Sequence, residues 1–116
     1  MGKFSRDKGR RGEYWLRDQL RSRGWTSERG QQRSGSPDSP DVKCPELPVH
    51  WEMKYGYKRL SIRPAMDKLR GETPSDKTPI LVWRQERETP ESALAILPLA
   101  DLLNLLKELP IRYEQD

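Results

Sequence analysis

The stretch Val49-His50-Trp51-Glu52-Met53-Lys54 decides the fold, because apolar and polar side chains alternate along it. A period of two predicts a half-buried β-strand with its apolar residues on one face. Upstream, Asp41–Cys44 predicts a partner strand, and the segment Pro45–Pro48 between them has the length of an ordinary hairpin loop. The sequence therefore predicts a β-hairpin at the centre of the fold.

The register of this hairpin brings two acidic residues together. If Val42 faces Trp51, then Asp41 lies directly opposite Glu52, with Lys54 two residues along the same face. Cross-strand Cβ atoms lie roughly 4.5–5.5 Å apart, and like charges at that distance destabilise a sheet. A divalent cation would compensate them, since Mg²⁺ takes oxygen ligands and typically one or two carboxylates beside substrate phosphates.

These residues also carry a resemblance. Pro40-Asp41 followed by Glu52-Met53-Lys54 resembles the PD-(D/E)xK nuclease signature. Together with Arg33-Ser34-Gly35-Ser36 and Gly12-Glu13, the pattern resembles the Holliday junction resolvases of archaea and their viruses, over about the first half of the chain. The order of helices and strands predicts an α/β domain with a mixed sheet. The resemblance implies a restriction-endonuclease-like core, in which helices flank a mixed central β-sheet.

The resemblance implies a metal-dependent DNA endonuclease that hydrolyses phosphodiester bonds. Asp41, Glu52 and the backbone carbonyl of Met53 would hold Mg²⁺, for which Mn²⁺ is expected to substitute. Lys54 would orient the attacking water or stabilise charge that develops on the phosphate. The expected substrate is a four-way DNA junction. Two alternatives stay open: a nicking or restriction-like endonuclease on duplex DNA, and a non-catalytic DNA-binding module of the same fold.

Glu13 is the third candidate acid. A helix is predicted over about Asp7–Arg23, and Glu13 shares its apolar stripe with Leu16 and Leu20. A carboxylate on that stripe needs a partner. One interpretation is an exposed pair with Arg17 at i+4. The resemblance favours the other, in which Glu13 ligates a second ion or orders the metal site.

Composition limits the classes of protein that fit. The 116 residues suit one domain, residues 1–116, with 33% hydrophobic and 34% charged residues. The sequence contains no apolar run of membrane-spanning length, so we expect no membrane association. A single cysteine allows no internal disulfide. We expect a cytoplasmic protein, in a prokaryotic cell or a viral host.

The charge distribution predicts DNA as the partner. Residues 1–33 contain ten Lys or Arg against four Asp or Glu, whereas residues 34–116 contain twelve against fourteen. Residues 1–8 are predicted to be a mobile basic arm. A basic arm beside a mildly acidic body indicates an acidic polymer. The resemblance also implies an arginine with a role in catalysis or DNA contact shortly before the Ser-Gly-Ser loop. The candidates are Arg29 and Arg33. The predicted DNA contacts are Arg10, Arg11, Arg29, Arg33, Ser34, Ser36, Lys58 and Arg59.

The remaining segments predict further helices and strands. Apolar patterns and turn residues indicate a strand at Trp25–Arg29, a helix at Ser61–Arg70 that ends at Gly71, and strands covered on both faces at Ile80–Trp83 and Ala93–Leu97. Pro98 precedes a final helix whose leucines, from Leu99 to Leu109, follow the 3.6 period.

The leucine face of the final helix has two interpretations. The simpler is that it closes the core; the other is that it meets a partner. A junction has two opposed strands to cut, and one chain offers one Asp41/Glu52/Lys54 site. We therefore expect a homodimer, assembled through an isologous interface.

Overall fold

The structure, a computed structural model, describes residues 2–30 and 39–112, without the side chains of residues 2–7 and 90. These residues form three helices and five strands with one 3₁₀ turn at Pro90–Ser92. The helices are α1 (Gly2–Arg21), α2 (Ile62–Glu72) and α3 (Leu99–Lys107). The strands are β1 (Glu28–Arg29), β2 (Val42–Lys43), β3 (Val49–Tyr55), β4 (Thr78–Arg84) and β5 (Leu94–Ile96).

The five strands form one mixed sheet in the order β1-β2-β3-β4-β5. Only β3 and β4 run parallel, and helix α2 connects them; the other neighbours are antiparallel. Val42 pairs with Trp51, which confirms the predicted register of the central hairpin. The chain is therefore an α/β protein with helices flanking a mixed sheet, as the order of elements predicts.

The two faces of the sheet are covered by different helices. Helix α1 contributes Leu16 and Leu20 to a core that also contains Val42, Cys44, Val49, Met53, Ile80 and Val82. Helix α2 contributes Met66 and Leu69, which pack on Leu81 and on the half-buried Trp83 and Ile96. Successive residues of β4 thus alternate between the two cores, and its central residues are buried as predicted. β4 is therefore an interior strand of the sheet, covered on both faces.

Several element boundaries differ from the predicted ones. Helix α1 begins at Gly2 and not at Asp7, so the backbone of residues 2–8, in the segment predicted as a basic arm, is helical. The segment contains no proline, and single glycines weaken a helix by only about 1 kcal/mol each. Strand β1 is limited to two residues of the predicted Trp25–Arg29. Helix α2 continues through Gly71 and ends before Thr73, because a lone glycine does not terminate a helix whose other face is packed.

The C-terminal part of the chain is more exposed than predicted. Strand β5 lies at the edge of the sheet, and Leu94 and Ala95 are exposed. Helix α3 has no buried residue, although its leucines follow the helical period. The interpretation of this leucine face as core is therefore wrong. The physical reason is that α1 and α2 already cover both faces of the central strands. Within the described ranges, no helix is long and apolar enough to span a membrane.

Gly12 brings α1 close to β3. A Cβ atom at this position would lie 2.5 Å from the Tyr55 Cβ and 3.2 Å from the Met53 Cγ. A carbon atom cannot fit at that distance without a shift of the helix or the strand. The glycine is therefore explained by close helix–sheet packing.

We expect Gly12→Ala to lower the free energy of unfolding by about 1–3 kcal/mol, because the added methyl group overpacks the contact with Tyr55. Gly9→Ala is the matched control, since a Cβ there meets nothing within 4 Å. The control should stabilise the helix by roughly 0.5–1 kcal/mol. Urea unfolding of both variants measures the difference, and equal effects would contradict the packing explanation.

Candidate active site

The candidate site lies on the hairpin of β2 and β3. Asp41 precedes β2, and its backbone N–H donates to the Trp51 carbonyl oxygen at 3.0 Å. Its own carbonyl oxygen accepts the Gly30 N–H at 2.9 Å. The Asp41 backbone is therefore held from both sides, by β3 and by the residue that follows β1. This backbone geometry fixes Asp41 beside Trp51, the residue that precedes Glu52.

The Asp41 side chain is buried, with 8% of the residue exposed. Its Oδ2 atom accepts the backbone N–H of Met53 at 2.8 Å. A carboxylate that accepts a main-chain hydrogen bond has a fixed orientation, because the donor belongs to a rigid strand. The same bond ties Asp41 to the residue between Glu52 and Lys54, so the three predicted site residues of the hairpin are brought together.

Glu52 contacts both Asp41 and Lys54. Burial raises the pKa of the Glu52 carboxyl to about 7, and the negative charge of Asp41 and a hydrogen bond with it act in the same direction. The Lys54 ammonium, with Nζ 3.4 Å from Glu52 Oε2, opposes this rise in pKa. A hydrogen bond between two carboxyl groups requires a proton on one of them. With a pKa of about 7, Glu52 is partly protonated at neutral pH, and its proton can form the hydrogen bond with Asp41.

Burial and the charge of Asp41 disfavour the ionised form of Glu52, and a cation bound beside it would stabilise that form. Mg²⁺ is commonly held by one or two carboxylates, with waters and phosphate oxygens completing its octahedron. Asp41 and Glu52 fit this donor set. Across residues 2–30 and 39–112, no three His, Cys, Asp or Glu side chains form a cluster that could hold a metal. The donor set of the described residues therefore consists of this pair of acids.

Glu13 pairs neither with Arg17 nor with the hairpin acids around a metal ion, which were its two predicted arrangements. The Arg29 Nε atom donates to Glu13 Oε1 at 2.8 Å, while Arg17 pairs with Asp18. The Glu13 side chain is only 12% exposed. Burial disfavours the charge of Arg29, but its hydrogen bonds with Glu13 and Tyr14 outweigh burial and raise the pKa of the guanidinium. Glu13 is thus tied to β1 through Arg29.

The sheet separates Glu13 from the hairpin acids. Glu52 and Lys54 lie beside Leu81 and Trp83, which belong to the α2 face. Helix α1, which carries Glu13, packs on the opposite face. The pair of Glu13 and Arg29 nevertheless lies close along the sheet, because Arg29 is the strand partner of Val42, the residue after Asp41.

The predicted DNA contacts divide into three groups. Arg10, Lys58 and Arg59 are exposed and have no ion-pair partner within the described chain. Arg11 is exposed, but its Nη2 atom lies 3.7 Å from Glu86 Oε1. Arg29 is held by Glu13, as above. The predicted contacts Arg33, Ser34 and Ser36 lie outside the described residues.

Two residues of the site were missed by sequence reasoning. The Tyr57 ring lies 5.5 Å from the Lys54 Nζ, a cation–π distance that limits where the ammonium can move. Gly30 allows β1 to contact the chain before Asp41, since a Cβ at Gly30 would collide with the Pro40 carbonyl oxygen. The glycine itself is the signal, because a glycine next to a strand often marks close approach of another backbone.

Comparisons with known proteins add no family assignment. The chain matches no protein-family model, no curated protein and no solved structure. Its function must therefore be argued from its own residues.

The pKa of Glu52 predicts how stability depends on pH. Its folded-state pKa of about 7 lies above the ordinary value of 4.5, so ionisation destabilises the fold. The contribution of protonated Glu52 to the stability of the fold is complete below pH 4.5 and is lost as the pH rises through 7. In metal-free solution, Glu52→Gln should therefore stabilise the protein at pH 8 by up to about 3 kcal/mol, and hardly at all near pH 4.

Thermal unfolding in EDTA at a series of pH values measures this effect. The matched control is Glu72→Gln, at the partly exposed C-terminal end of α2. Mg²⁺ should stabilise the wild-type protein at pH 8 and should have a smaller effect on Glu52→Gln. A constant difference between wild type and Glu52→Gln across the pH range would contradict the buried-acid explanation.

Proposed function

We propose that this chain is a metal-dependent DNA endonuclease with a restriction-endonuclease-like core. The observation that supports it most is the hydrogen-bonded pair of the buried Asp41 and the partly buried Glu52, with Lys54 Nζ 3.4 Å from Glu52 Oε2. Two neighbouring carboxylates without a bound cation destabilise a sheet. Such an arrangement is expected where a site requires it, and strongly shifted pKa values concentrate at functional sites.

Asp41, Glu52 and the Met53 carbonyl would hold Mg²⁺, or Mn²⁺ in its place. The metal, when bound, would polarise the scissile phosphate and lower the pKa of a water molecule. Lys54 would orient that water or stabilise the charge that develops on the phosphate oxygens. Arg29, tied to Glu13 beside the hairpin, would keep that carboxylate directed toward β1. Glu13 would then order the site from the other face of the sheet, through Arg29 and its strand partner Val42.

The proposed substrate is branched DNA, and specifically a four-way junction. Unpaired basic side chains, Arg10 on α1 and Lys58 and Arg59 after β3, are available for contacts with phosphates. Contacts with the phosphate backbone position a protein without reading base sequence. A branched substrate is recognised by shape, so backbone contacts of this kind suit it. The resemblance to the resolvases supports the same choice.

The decisive experiment incubates the protein with a four-way junction and with a linear duplex of matched sequence. Each substrate is tested in Mg²⁺, in Mn²⁺ and in EDTA. Cleavage of the junction alone, and only with metal, supports the resolvase proposal. Equal cleavage or nicking of both substrates supports a duplex endonuclease. Tight binding of both without cleavage in either metal would leave a DNA-binding module and would overturn the proposed catalysis.

The DNA-binding surface can be tested through its salt dependence. Arg10→Gln combined with Lys58→Gln should weaken binding and make the slope of log K against log salt less negative by about 0.9 for each phosphate contact removed. Lys107→Gln, an exposed charge in the last turn of α3, is the matched control and should leave the slope unchanged. An unchanged slope in the double variant would remove these two residues from the interface.

A further inference from the structure

A cleft opens at the β1 end of the sheet, outside the pair of Asp41 and Glu52. It has a volume of about 570 Å³, and its lining includes Arg21, Trp25, Ser27, Glu28, Lys43 and Pro45. We call it the Trp25 cleft. Ligand sites in proteins commonly have volumes of about 300–1,000 Å³, with apolar walls and a few polar groups. The Trp25 cleft has this size and this mixture of side chains.

The walls of the Trp25 cleft are held in place by the fold. The Thr26 backbone N–H and hydroxyl both donate to Glu46 Oε2, at 3.0 Å and 2.7 Å. These bonds tie the segment before β1 to the loop between β2 and β3. Trp25 packs on the core of the α1 face and is itself only partly buried. The cleft is therefore formed before any ligand binds.

Three charged side chains of the cleft keep hydrogen-bonding groups that no residue of the described chain uses. Glu28 and Lys43 are cross-strand partners in β1 and β2, yet within residues 2–30 and 39–112 no ion pair joins them. Arg21 donates from Nε to the Ser27 carbonyl oxygen at 2.8 Å, and its two Nη atoms have no partner among the same residues. Two cations and a carboxylate around one cleft suit a ligand that carries both an anionic group and hydrogen-bond donors.

Ser27 adds a buried polar group to the lining. The residue is 1% exposed, and its hydroxyl has no hydrogen-bond partner in the part of the chain that the structure describes. A buried polar group without a partner costs free energy. A polar atom of a molecule in the cleft, reached directly or through one water molecule, would supply that partner.

We propose that the Trp25 cleft binds one unpaired nucleotide of a DNA strand. The base would stack on Trp25, because every base offers an aromatic face to such a ring. Arg21 and Lys43 would contact the phosphates on either side. Glu28 would accept a hydrogen bond from an exocyclic amino group, as carboxylates do with cytosine. A phosphate ion alone would leave Trp25 and Glu28 without a partner, so the lining favours a nucleotide.

The position of the cleft links it to the proposed cleavage site. Lys43 follows Asp41 by two residues, which is about 7 Å of extended chain. A nucleotide in the cleft would therefore lie within a few nucleotides of a phosphate bound at Asp41. The inference rests on the proposed DNA partner and goes beyond the proposed backbone contacts, because it selects branched DNA that has an unpaired base beside the branch.

Fluorescence anisotropy of labelled octanucleotides, measured in EDTA so that no metal-dependent cleavage takes place, tests base binding. An octamer of deoxycytidine should bind about 10-fold more tightly than an octamer of abasic sites, which presents the same phosphates without bases. Equal binding of the two octamers would overturn the proposal. Tighter binding of deoxycytidine monophosphate than of the deoxycytidine octamer would assign the cleft to a free nucleotide and would overturn the DNA strand as its ligand.

Variants assign the base preference to the Trp25 cleft. Trp25→Leu keeps an apolar side chain against the core and removes the aromatic face, so it should bind both octamers alike. Tyr14→Leu is the matched control, since it removes a 39% exposed ring on α1 that does not line the cleft, and it should keep the preference. A preference that survives in Trp25→Leu would overturn the proposed stacking.

Photo-cross-linking locates the base in the wild-type protein and does not depend on the folding of Trp25→Leu. A deoxycytidine octamer that carries one 5-iododeoxycytidine is irradiated with the protein in EDTA, and the adduct is located by mass spectrometry. The adduct should lie on Trp25 or on a neighbouring residue of the cleft. Adducts confined to other segments of the chain would overturn the assignment of the site.

The Trp25 cleft also predicts a preference between junctions. A four-way junction with two unpaired nucleotides at its branch should bind the wild type about 10-fold more tightly in EDTA than a fully paired junction does, and Trp25→Leu should bind both alike. Equal binding of both junctions by the wild type would contradict the proposed selection. These readouts need no metal and no cleavage, so they distinguish failure of base binding from failure of the proposed nuclease function.

Discussion

Replacing Asp41 by Asn is expected to lower the single-turnover rate of DNA cleavage in Mg²⁺ by about three decades or more, while DNA binding is largely retained. The proposed reason is the loss of one of the two metal-binding carboxylates, on which generation of the nucleophile depends. The amide oxygen of Asn can still accept the Met53 N–H that Asp41 accepts at 2.8 Å, so the hairpin should stay intact. Cleavage of a radiolabelled four-way junction under enzyme excess is the measurement.

A stability measurement separates loss of chemistry from loss of structure. Asp41→Asn removes a negative charge that raises the pKa of Glu52, so the metal-free variant should be more stable than wild type at pH 8. Asp67→Asn, an exposed position on α2, is the matched control and should cut at the wild-type rate. If Asp41→Asn cuts at a rate close to that of wild type, Asp41 is not a metal ligand and the proposed site is wrong.

Lys54→Ala is expected to lower the cleavage rate by about two to four decades, with a much smaller effect on DNA affinity. Lys54 lies 3.4 Å from Glu52 and is only 22% exposed, so its charge acts within the site and not on the surface. Lys58→Ala, an exposed neighbour, serves as the control and should change affinity more than rate.

The pH dependence of the Lys54 variants adds a second test. The Lys54 ammonium opposes the raised pKa of Glu52. Its removal should therefore move the acid limb of the pH–rate profile to higher pH, whereas Lys54→Arg, which keeps the charge, should move it less. A rate unchanged in Lys54→Ala, with weaker binding alone, would make Lys54 a phosphate anchor.

The central hairpin could be predicted from the sequence because the residues that determine it are close together in the chain. Strict alternation in Val49–Lys54 and a short loop determine the register, and the structure confirms Val42 opposite Trp51. The close approach of Asp41 and Glu52 follows from that register without any knowledge of the rest of the fold. The burial of both faces of β4 was likewise visible as a continuous apolar run.

Contacts between distant segments could not be predicted in the same way. The pairing of Glu13 with Arg29 depends on how α1 lies across β1, which no local period encodes. The 3.6 period of the α3 leucines shows that one side of the helix is apolar, but it cannot show whether another element covers that side. Gly12 illustrates the same limit, since its role depends on Tyr55, which is far away in sequence.

The close contact between Gly30 and Pro40 has an evolutionary consequence. The Gly30 N–H donates to the Asp41 carbonyl oxygen and Gly30 lies against Pro40, so the two ends of the segment between Gly30 and Pro40 are held together. Lengthening a closed loop costs only about 0.6 kcal/mol for each doubling. Insertions between these two residues can therefore be accommodated while Asp41 keeps its position. Selection could in this way diversify the substrates of such a protein without rebuilding its chemistry.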